Sequence, residues 1–302
     1  MGKKILWILT GGTFSCPPAD RGLAPLGSET QARHMLEHCG ITGEITAEVI
    51  MNKDSSDICP ADWKVLAERI DKAVGEYDGI IITHGTDTLG YTAAAMSAML
   101  ENPPVPVILT GSQLPFFAEG SDAPQNLTDA FAAVYSGIKA VAVTFCGRLF
   151  YGCDVYKADS AEFDGFRSRR GDLGCVKDGQ VTLTGEITEG EYIYHRDICD
   201  KVTALKLTPA FDGAVIDFLV GRGIRGIVLE CYGSGGIPEF VLPHIKAAAE
   251  QGVKFIAVSE CVGGAVDLTR YEVGVNAAAA GVSGSGNRGA AEALAMLMTE
   301  NF

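Results

Sequence analysis

Threonine recurs in this chain where an apolar run gives way to glycine. Ile5-Leu6-Trp7-Ile8-Leu9 runs into Thr10-Gly11-Gly12-Thr13, and Gly79-Ile80-Ile81-Ile82 runs into Thr83-His84-Gly85-Thr86-Asp87-Thr88. A threonine hydroxyl on a sharp turn can act as a nucleophile when a proton acceptor stands beside it. Gly11 and Gly12 let the backbone turn sharply and leave room beside Thr13. The second turn adds a carboxylate, Asp87, where a helix begins, and a helix N-terminus offers free N–H groups that favour a carboxylate ligand or a developing oxyanion. Each feature also has a plainer reading. Thr13 can sit in an ordinary turn, Asp87 or Thr88 can cap the helix, and His84 alone reads as a hydrogen-bonded structural residue rather than a base.

Two further segments carry suitable groups. Asp54-Ser55-Ser56-Asp57 offers adjacent hydroxyls and N–H groups that could hold a small carboxylate, or it is a polar entry to a helix. Lys157, in Asp154-Val155-Tyr156-Lys157-Ala158-Asp159, is a surface lysine by default. Partly desolvated beside Asp87, it could accept a proton through Thr86.

Other patterns fail on inspection. Gly284-Ser285-Gly286-Asn287-Arg288-Gly289 fits G-x-G-x-x-G, but the residues after it supply neither the second strand nor the acidic residue of a dinucleotide unit. It reads as the opening of the last helix. His34 and His38 lie one helical turn apart without H-E-x-x-H spacing or a third ligand, so they read as a solvated face. There is no G-x-x-x-x-G-K-[ST] and no G-x-S-x-G.

The elements that position these groups alternate. Strands are predicted at 3–9, 44–51, 79–83, 105–110 and 139–145, with helices at 60–75, 88–101 and 124–137. Pro60 suits a first helical turn, with Asp57 upstream as its cap. Apolar runs bounded by glycine read as strands buried on both faces, and their alternation with helices implies βαβ units around a mainly parallel sheet. Residues 146–200 break the pattern and read as a β-hairpin followed by an irregular connection. Strands at 202–208, 224–230 and 253–258 then alternate with helices at 212–221, 239–250 and 287–300. The predicted class is therefore α/β. A large N-terminal domain (1–185) carries the threonines, a linker spans 186–201, and a smaller C-terminal α/β domain covers 202–302. Ligands of open α/β sheets bind beyond the carboxyl ends of the strands, which is where both threonine turns fall.

Composition narrows the function classes. The 302 residues are 47% hydrophobic and 21% charged, enough apolar material for one large core or two smaller ones. A net charge of −14 argues against nucleic acid as a partner. No apolar run approaches the ~20 residues of a membrane span, and Met1-Gly2-Lys3-Lys4 opens no signal-peptide pattern. Nine cysteines, an odd number without C-x-x-C, point to a reducing compartment rather than a disulfide framework or structural zinc. Cys146, Cys231 and Cys261 read as small buried hydrophobes near strands.

Taken together, these segments resemble the bacterial-type L-asparaginases. The likeness runs through Thr10–Thr13, Asp54–Asp57, His84–Thr88, Thr110-Gly111-Ser112-Gln113, Lys157 ahead of Phe163-Asp164-Gly165-Phe166, and Tyr232-Gly233-Ser234-Gly235. The Asp-Ser-Ser-Asp form resembles the cytoplasmic type I branch. The resemblance implies hydrolysis of L-asparagine to L-aspartate and ammonia, without cofactor or metal. It makes Thr13 the nucleophile that forms a β-aspartyl ester, and Thr86, Lys157 and Asp87 a proton-handling triad. The Thr86 N–H would stabilise the oxyanion and Asp87 would bind the substrate's α-amino group. Ser55 and Ser56 would hold the α-carboxylate, and the Ser112 carbonyl would receive the amide nitrogen. It also implies a homo-oligomer, a dimer of dimers with sites shared between subunits, with regulation by asparagine as a further possibility in the region of Cys261. Two positions depart from the family. Leu23 stands where a loop tyrosine is usual, with no tyrosine between Thr13 and Ser55, and Gly236 stands where asparagine is common. Leucine cannot relay a proton, which motivates a non-catalytic amino-acid sensor on the same scaffold as one alternative; within the same fold the others are a glutaminase-asparaginase or another amidohydrolase.

Overall fold

A computed structural model of the protein describes residues 2–16 and 27–300. The chain divides into two compact units, Met1–Arg196 and Asp197–Phe302. In the first, the order is β1 (Lys4–Gly11), α1 (Glu29–His38), β2 (Glu44–Lys53), α2 (Pro60–Ala73), β3 (Gly79–Thr83), α3 (Leu89–Met99), β4 (Leu100–Glu101), β5 (Val107–Thr110), α4 (Ala123–Ser136), β6 (Val141–Phe145), β7 (Arg148–Tyr151), β8 (Val155–Lys157), β9 (Phe166–Ser168), β10 (Gly174–Lys177), β11 (Gln180–Leu183) and β12 (Ile193–Tyr194).

An eight-stranded sheet runs β11-β10-β7-β6-β5-β3-β1-β2. It is parallel from β2 to β6 and antiparallel from β6 to β11. The central strands are continuous apolar runs because both of their faces are covered. Ile5, Trp7, Leu9, Ile81 and Ile108 share one core with Met35 of α1 and Leu127, Phe131 and Val134 of α4. The alternate residues Leu6, Ile8, Ile80 and Ile82 are fully buried as well. The register pairs Leu9 with Thr83 and Thr83 with Thr110, so β1, β3 and β5 end level with one another.

Several local expectations need correction. Asp57 does not cap α2, because it belongs to a short 3₁₀ turn, Ser55–Asp57. The cap position is Cys59, whose N–H donates to the Asp62 carboxylate at 2.9 Å, and Pro60 opens the helix. The stretch after β6 is more ordered than one hairpin and a connection, since it carries β7 to β12. These strands are two to four residues long, too short to display a period of two. Most of the segment read as a linker lies in the first unit, where β12 pairs with β4. Cys231 is buried, but Cys146 and Cys261 are exposed. Cys146 and Gly147 form the two-residue turn between β6 and β7 at φ 51° and 73°, as a right-twisted hairpin requires.

The second unit holds β13 (Val202–Lys206), α5 (Ala214–Gly221), β14 (Gly226–Cys231), α6 (Leu242–Glu250), β15 (Lys254–Ser259), α7 (Glu272–Ala279), β16 (Val282–Gly284) and α8 (Ala290–Thr299). Its four strands are parallel in the order β13-β14-β15-β16. Ile227, Leu229, Phe255 and Ala257 face one core, whereas Val228, Ile256 and Val258 face another with Ala293 and Leu297 of α8. α7 and β16 were not anticipated. Gly289 stands at the N-cap of α8, so the pattern at 284–289 runs into the opening of the last helix.

Candidate active site

Because β1, β3 and β5 end level, the segments after them leave the sheet on one side. Their contact is backbone on backbone. Gly12, at φ 72°, lies so close to Gly85 that a Cβ on it would stand 2.4 Å from the Gly85 Cα. A Cβ on Gly85 would in turn stand 2.7 Å from the Ser55 side chain. Only glycine permits this approach. Thr13 and Thr86 are the residues that directly follow the two touching glycines. The Gly12 N–H donates to the Lys53 carbonyl at 2.9 Å, which ties the first turn to the end of β2. Thr13 is half-buried and opens a 3₁₀ turn, Thr13–Ser15. Phe14 beneath it is buried edge-on against Trp7 and Phe116.

The second turn meets Lys157. The Lys157 Nζ donates to Thr86 Oγ1 at 2.8 Å and to Asp87 Oδ1 at 2.7 Å. Thr86 is buried and the Lys157 side chain nearly so, whereas 65% of the Asp87 side chain is exposed. Lys157 ends β8, which pairs antiparallel with β9. Two features seat that hairpin. Gly90, in the first turn of α3, leaves space for the Val155 carbonyl, 2.6 Å from where its Cβ would stand. Arg148 of β7 donates to Asp172 through Nε (2.8 Å) and Nη2 (2.9 Å), and to Asp164 and the Phe166 carbonyl through Nη1. Such a bidentate guanidinium–carboxylate pair fixes direction as well as distance.

Thr88 joins this turn to the third loop, because its hydroxyl donates to the Ser55 carbonyl at 2.6 Å instead of capping α3. Ser55 is buried. Ser56 is turned differently. Its hydroxyl and N–H both donate to Asp54 Oδ1, at 2.7 and 2.9 Å, and these bonds hold the Asp54 carboxyl below its ordinary pKa. The fourth segment follows β5. Gly111 lies against the His84 carbonyl, 2.3 Å from where its Cβ would stand. Ser112 is buried, with its hydroxyl given to the Leu114 carbonyl at 2.6 Å. Asp122 accepts the Gln113 and Leu114 N–H groups, and Asn126 donates to the Gly111 carbonyl.

Of the residues singled out in the sequence, Thr86, Asp87 and Lys157 thus touch directly. Thr13, Ser55 and Ser112 arrive through neighbouring glycines and the Thr88 bond, and Ser56 is committed to Asp54. Leu23 lies outside the described residues. Gln113 was quoted in the sequence without a role. It accepts a long 3.4 Å contact from Thr86 Oγ1 and donates to the Glu162 carbonyl at 3.0 Å, so it links the turn to the loop after Lys157. Its only signal was its place beside Ser112. His84 is wholly buried, and burial holds its pKa below the ordinary value.

In the second unit, Gly236 closes a tight turn with Tyr232, whose carbonyl accepts its N–H at 2.7 Å. This turn borders a cavity of about 210 Å³ with Asp267 and Tyr271. A cavity of about 570 Å³ is lined by Phe255, Ser283, Ser285, Arg288 and Met296, among others. Among the described residues no group of three or more His, Cys, Asp and Glu side chains could hold a metal ion, and no helix is long and apolar enough to cross a membrane.

Known proteins are similar to this chain over most of its length. Residues 4–189 match the family "Asparaginase, N-terminal", and residues 201–299 match "Glutaminase/Asparaginase C-terminal domain". The L-asparaginase of Thermococcus kodakarensis is 36% identical over 98% of this chain and 92% of its own length. The solved structure of that thermostable L-asparaginase superposes with a TM-score of 0.90, covering 98% of this chain and 92% of the other. L-asparaginase 1 of Escherichia coli K12 is 32% identical over 94% of this chain and 88% of its own. A component of the Thermococcus kodakarensis glutamyl-tRNA(Gln) amidotransferase is 36% identical, but over 79% of this chain and 57% of its own length. With both halves matched and the threonine turns converging, the chain belongs to the asparaginase family.

Proposed function

We propose that the protein hydrolyses the side-chain amide of L-asparagine to L-aspartate and ammonia through a covalent ester on Thr13. The observation that carries this reading is the contact of Lys157 Nζ with Thr86 Oγ1 and Asp87 Oδ1, at 2.8 and 2.7 Å, next to the Gly12–Gly85 approach. The Thr13 oxygen attacks the amide carbon, and its proton passes to the protein as the C–O bond forms. The Thr86 N–H steadies the resulting oxyanion. The Thr86–Lys157–Asp87 group supplies a proton to the amide nitrogen, the C–N bond breaks, and ammonia leaves. Water then attacks the β-aspartyl ester, and the Thr13 oxygen recovers a proton as aspartate departs. Asp87 holds the substrate ammonium with the oxygen that Lys157 leaves open. Ser55 receives the α-carboxylate beside Ser56, and the Ser112 carbonyl receives the amide nitrogen. The scheme needs no cofactor.

Ammonia release from L-asparagine tests it. The wild type is expected to form ammonia and aspartate in equal amounts, whereas Thr13→Ala and Thr86→Val lose about 10³-fold or more in kcat. Equal rates for all three would overturn the reading.

The likeness to a glutamyl-tRNA(Gln) amidotransferase component favours one second reading, in which glutamine is also a substrate. A methylene of difference is worth ~1–3 kcal/mol in a pocket, so the ratio of kcat/KM for the two amides decides it. We further read the protein as a cytoplasmic homo-oligomer, a dimer of dimers. Nine cysteines without a disulfide support the reducing compartment. Exposed Phe218, Phe240, Tyr271 and Val275 supply apolar surface for contacts between copies of the chain.

A further inference from the structure

His84 takes no part in the proposed chemistry, yet it is buried at the centre of the site and fully bonded. Its Nδ1 lies 2.7 Å from the Gly85 carbonyl oxygen. Its Nε2 lies 3.0 Å from Thr92 Oγ1, which also accepts the Trp63 indole N–H at 3.0 Å. The three side chains come from three elements, α2, α3 and the end of β3, and all are buried.

Chemistry fixes the direction of this chain. A carbonyl only accepts, so Nδ1 carries the proton it donates to Gly85. An indole N–H only donates, so the Thr92 oxygen accepts from Trp63. In a neutral imidazole Nε2 is then the acceptor, and it takes the Thr92 hydroxyl proton. Every donor is matched in the order Trp63, Thr92, His84, Gly85 carbonyl. Burial without a facing carboxylate keeps the ring neutral.

The receiving carbonyl belongs to the Gly85–Thr86 peptide. In a trans peptide the C=O and N–H point in opposite directions, and the chain contains no cis peptide bond among its described residues. With the carbonyl held inward by His84, the Thr86 N–H points away from the core. No described residue accepts it, although Thr86 is only 6% exposed. A hydrogen bond on the carbonyl also polarises the peptide and makes its N–H a better donor.

We propose that His84 is a positioning residue for the reaction: the Trp63–Thr92–His84 chain locks the Nδ1–H tautomer, orients the Gly85–Thr86 peptide and aims the Thr86 N–H at the developing oxyanion. This rests on the reading of Thr86 given above. It assigns His84 no contact with substrate and no proton transfer.

Two amide substitutions separate orientation from packing. The Asn amide nitrogen stands one bond from Cγ, where Nδ1 stands, and can still donate to the Gly85 carbonyl. The Gln amide lies one carbon further out, towards Thr92. His84→Gln is expected to lower kcat about tenfold, less than the loss of a whole oxyanion donor, with KM for asparagine within about twofold. His84→Asn restores kcat to within about threefold of wild type. The two variants melt at similar temperatures, because both lose the same ring packing. ¹⁵N NMR of the wild-type ring shows the neutral Nδ1–H form throughout the pH range of activity. If Asn and Gln at 84 give equal kcat while activity still requires Thr13, or if Nε2 carries the proton, the inference falls and the hydrolase reading stands. If activity survives Thr13→Ala, both fall.

Discussion

Both compact units hold parallel strands that end in glycine- and hydroxyl-rich loops, yet their strand ends do different things. In the first unit the hydroxyl of Thr86 meets Lys157 at 2.8 Å, and Asp87 keeps most of its surface open. In the second, the hydroxyl at the equivalent end of β15, Ser259, donates to the Gly233 carbonyl at 2.6 Å and accepts the Cys261 N–H at 3.0 Å. Its charged neighbours, Glu230 and Glu260, face Lys206 at 3.5 and 3.7 Å. One loop cluster brings a cation and a mostly exposed carboxylate to a buried threonine hydroxyl, and the other turns its Ser259 hydroxyl onto its own backbone. The same architecture therefore does not make a site. In the first unit a hairpin, β8–β9, brings a lysine to the proposed site from outside the sheet.

That contrast can be broken from either side. Lys157→Met removes the proposed proton handler, and kcat for asparagine is expected to fall about 10²–10⁴-fold. Lys157→Arg does not restore it, because guanidinium remains charged and is shaped for two partners. An arginine variant with near wild-type kcat would show that the cation serves only as charge.

Ser259→Ala strikes the other sheet. It removes the hydroxyl that donates to the Gly233 carbonyl and accepts the Cys261 N–H, a loss of ~1–3 kcal/mol in stability by urea unfolding. No change in the unfolding midpoint would mean that the second loop cluster does not depend on its hydroxyl.

A smaller effect comes from pH. Burial holds His84 below its ordinary value of 6.5, so below that pH the unfolded chain binds a proton that the folded protein refuses. Stability must then fall as pH drops below about 6.5, by at most ~1.4 kcal/mol per pH unit from this group. Asp54 acts in a separate window. Its carboxyl is held below 3.8, so its contribution is present above that value and is lost in stronger acid. His84→Asn should flatten the first slope and leave the second. An unchanged slope below pH 6.5 would show that His84 charges freely in the fold.

The long elements were legible in the sequence for physical reasons. β1, β3 and β5 are apolar at successive positions because both faces are covered, and α2 and α4 carry their apolar residues on one side. The short strands β7 to β12 were legible only as one hairpin, since pairing rather than pattern defines them. Of the site, the residue types and the shared place of the two threonine turns were readable, and the approach of Lys157 was not. Lys157 lies 70 residues from Asp87, and nothing local joins them. Asp57 was misread as a cap because a 3₁₀ turn and Cys59 intervene before α2. Ser56 looked equivalent to Ser55, but the choice between them is made by Asp54, two residues upstream of one and adjacent to the other.

The account stands on Thr13 and Thr86 flanking one carboxamide carbon. Its most direct test is inactivation with an isotope-labelled electrophilic analogue of asparagine, followed by peptide mass spectrometry. The expected result is one label per chain, on Thr13, blocked by aspartate and slowed in Thr86→Val. Inactivation with the label on any other residue, or activity that persists with Thr13 fully labelled, would contradict it.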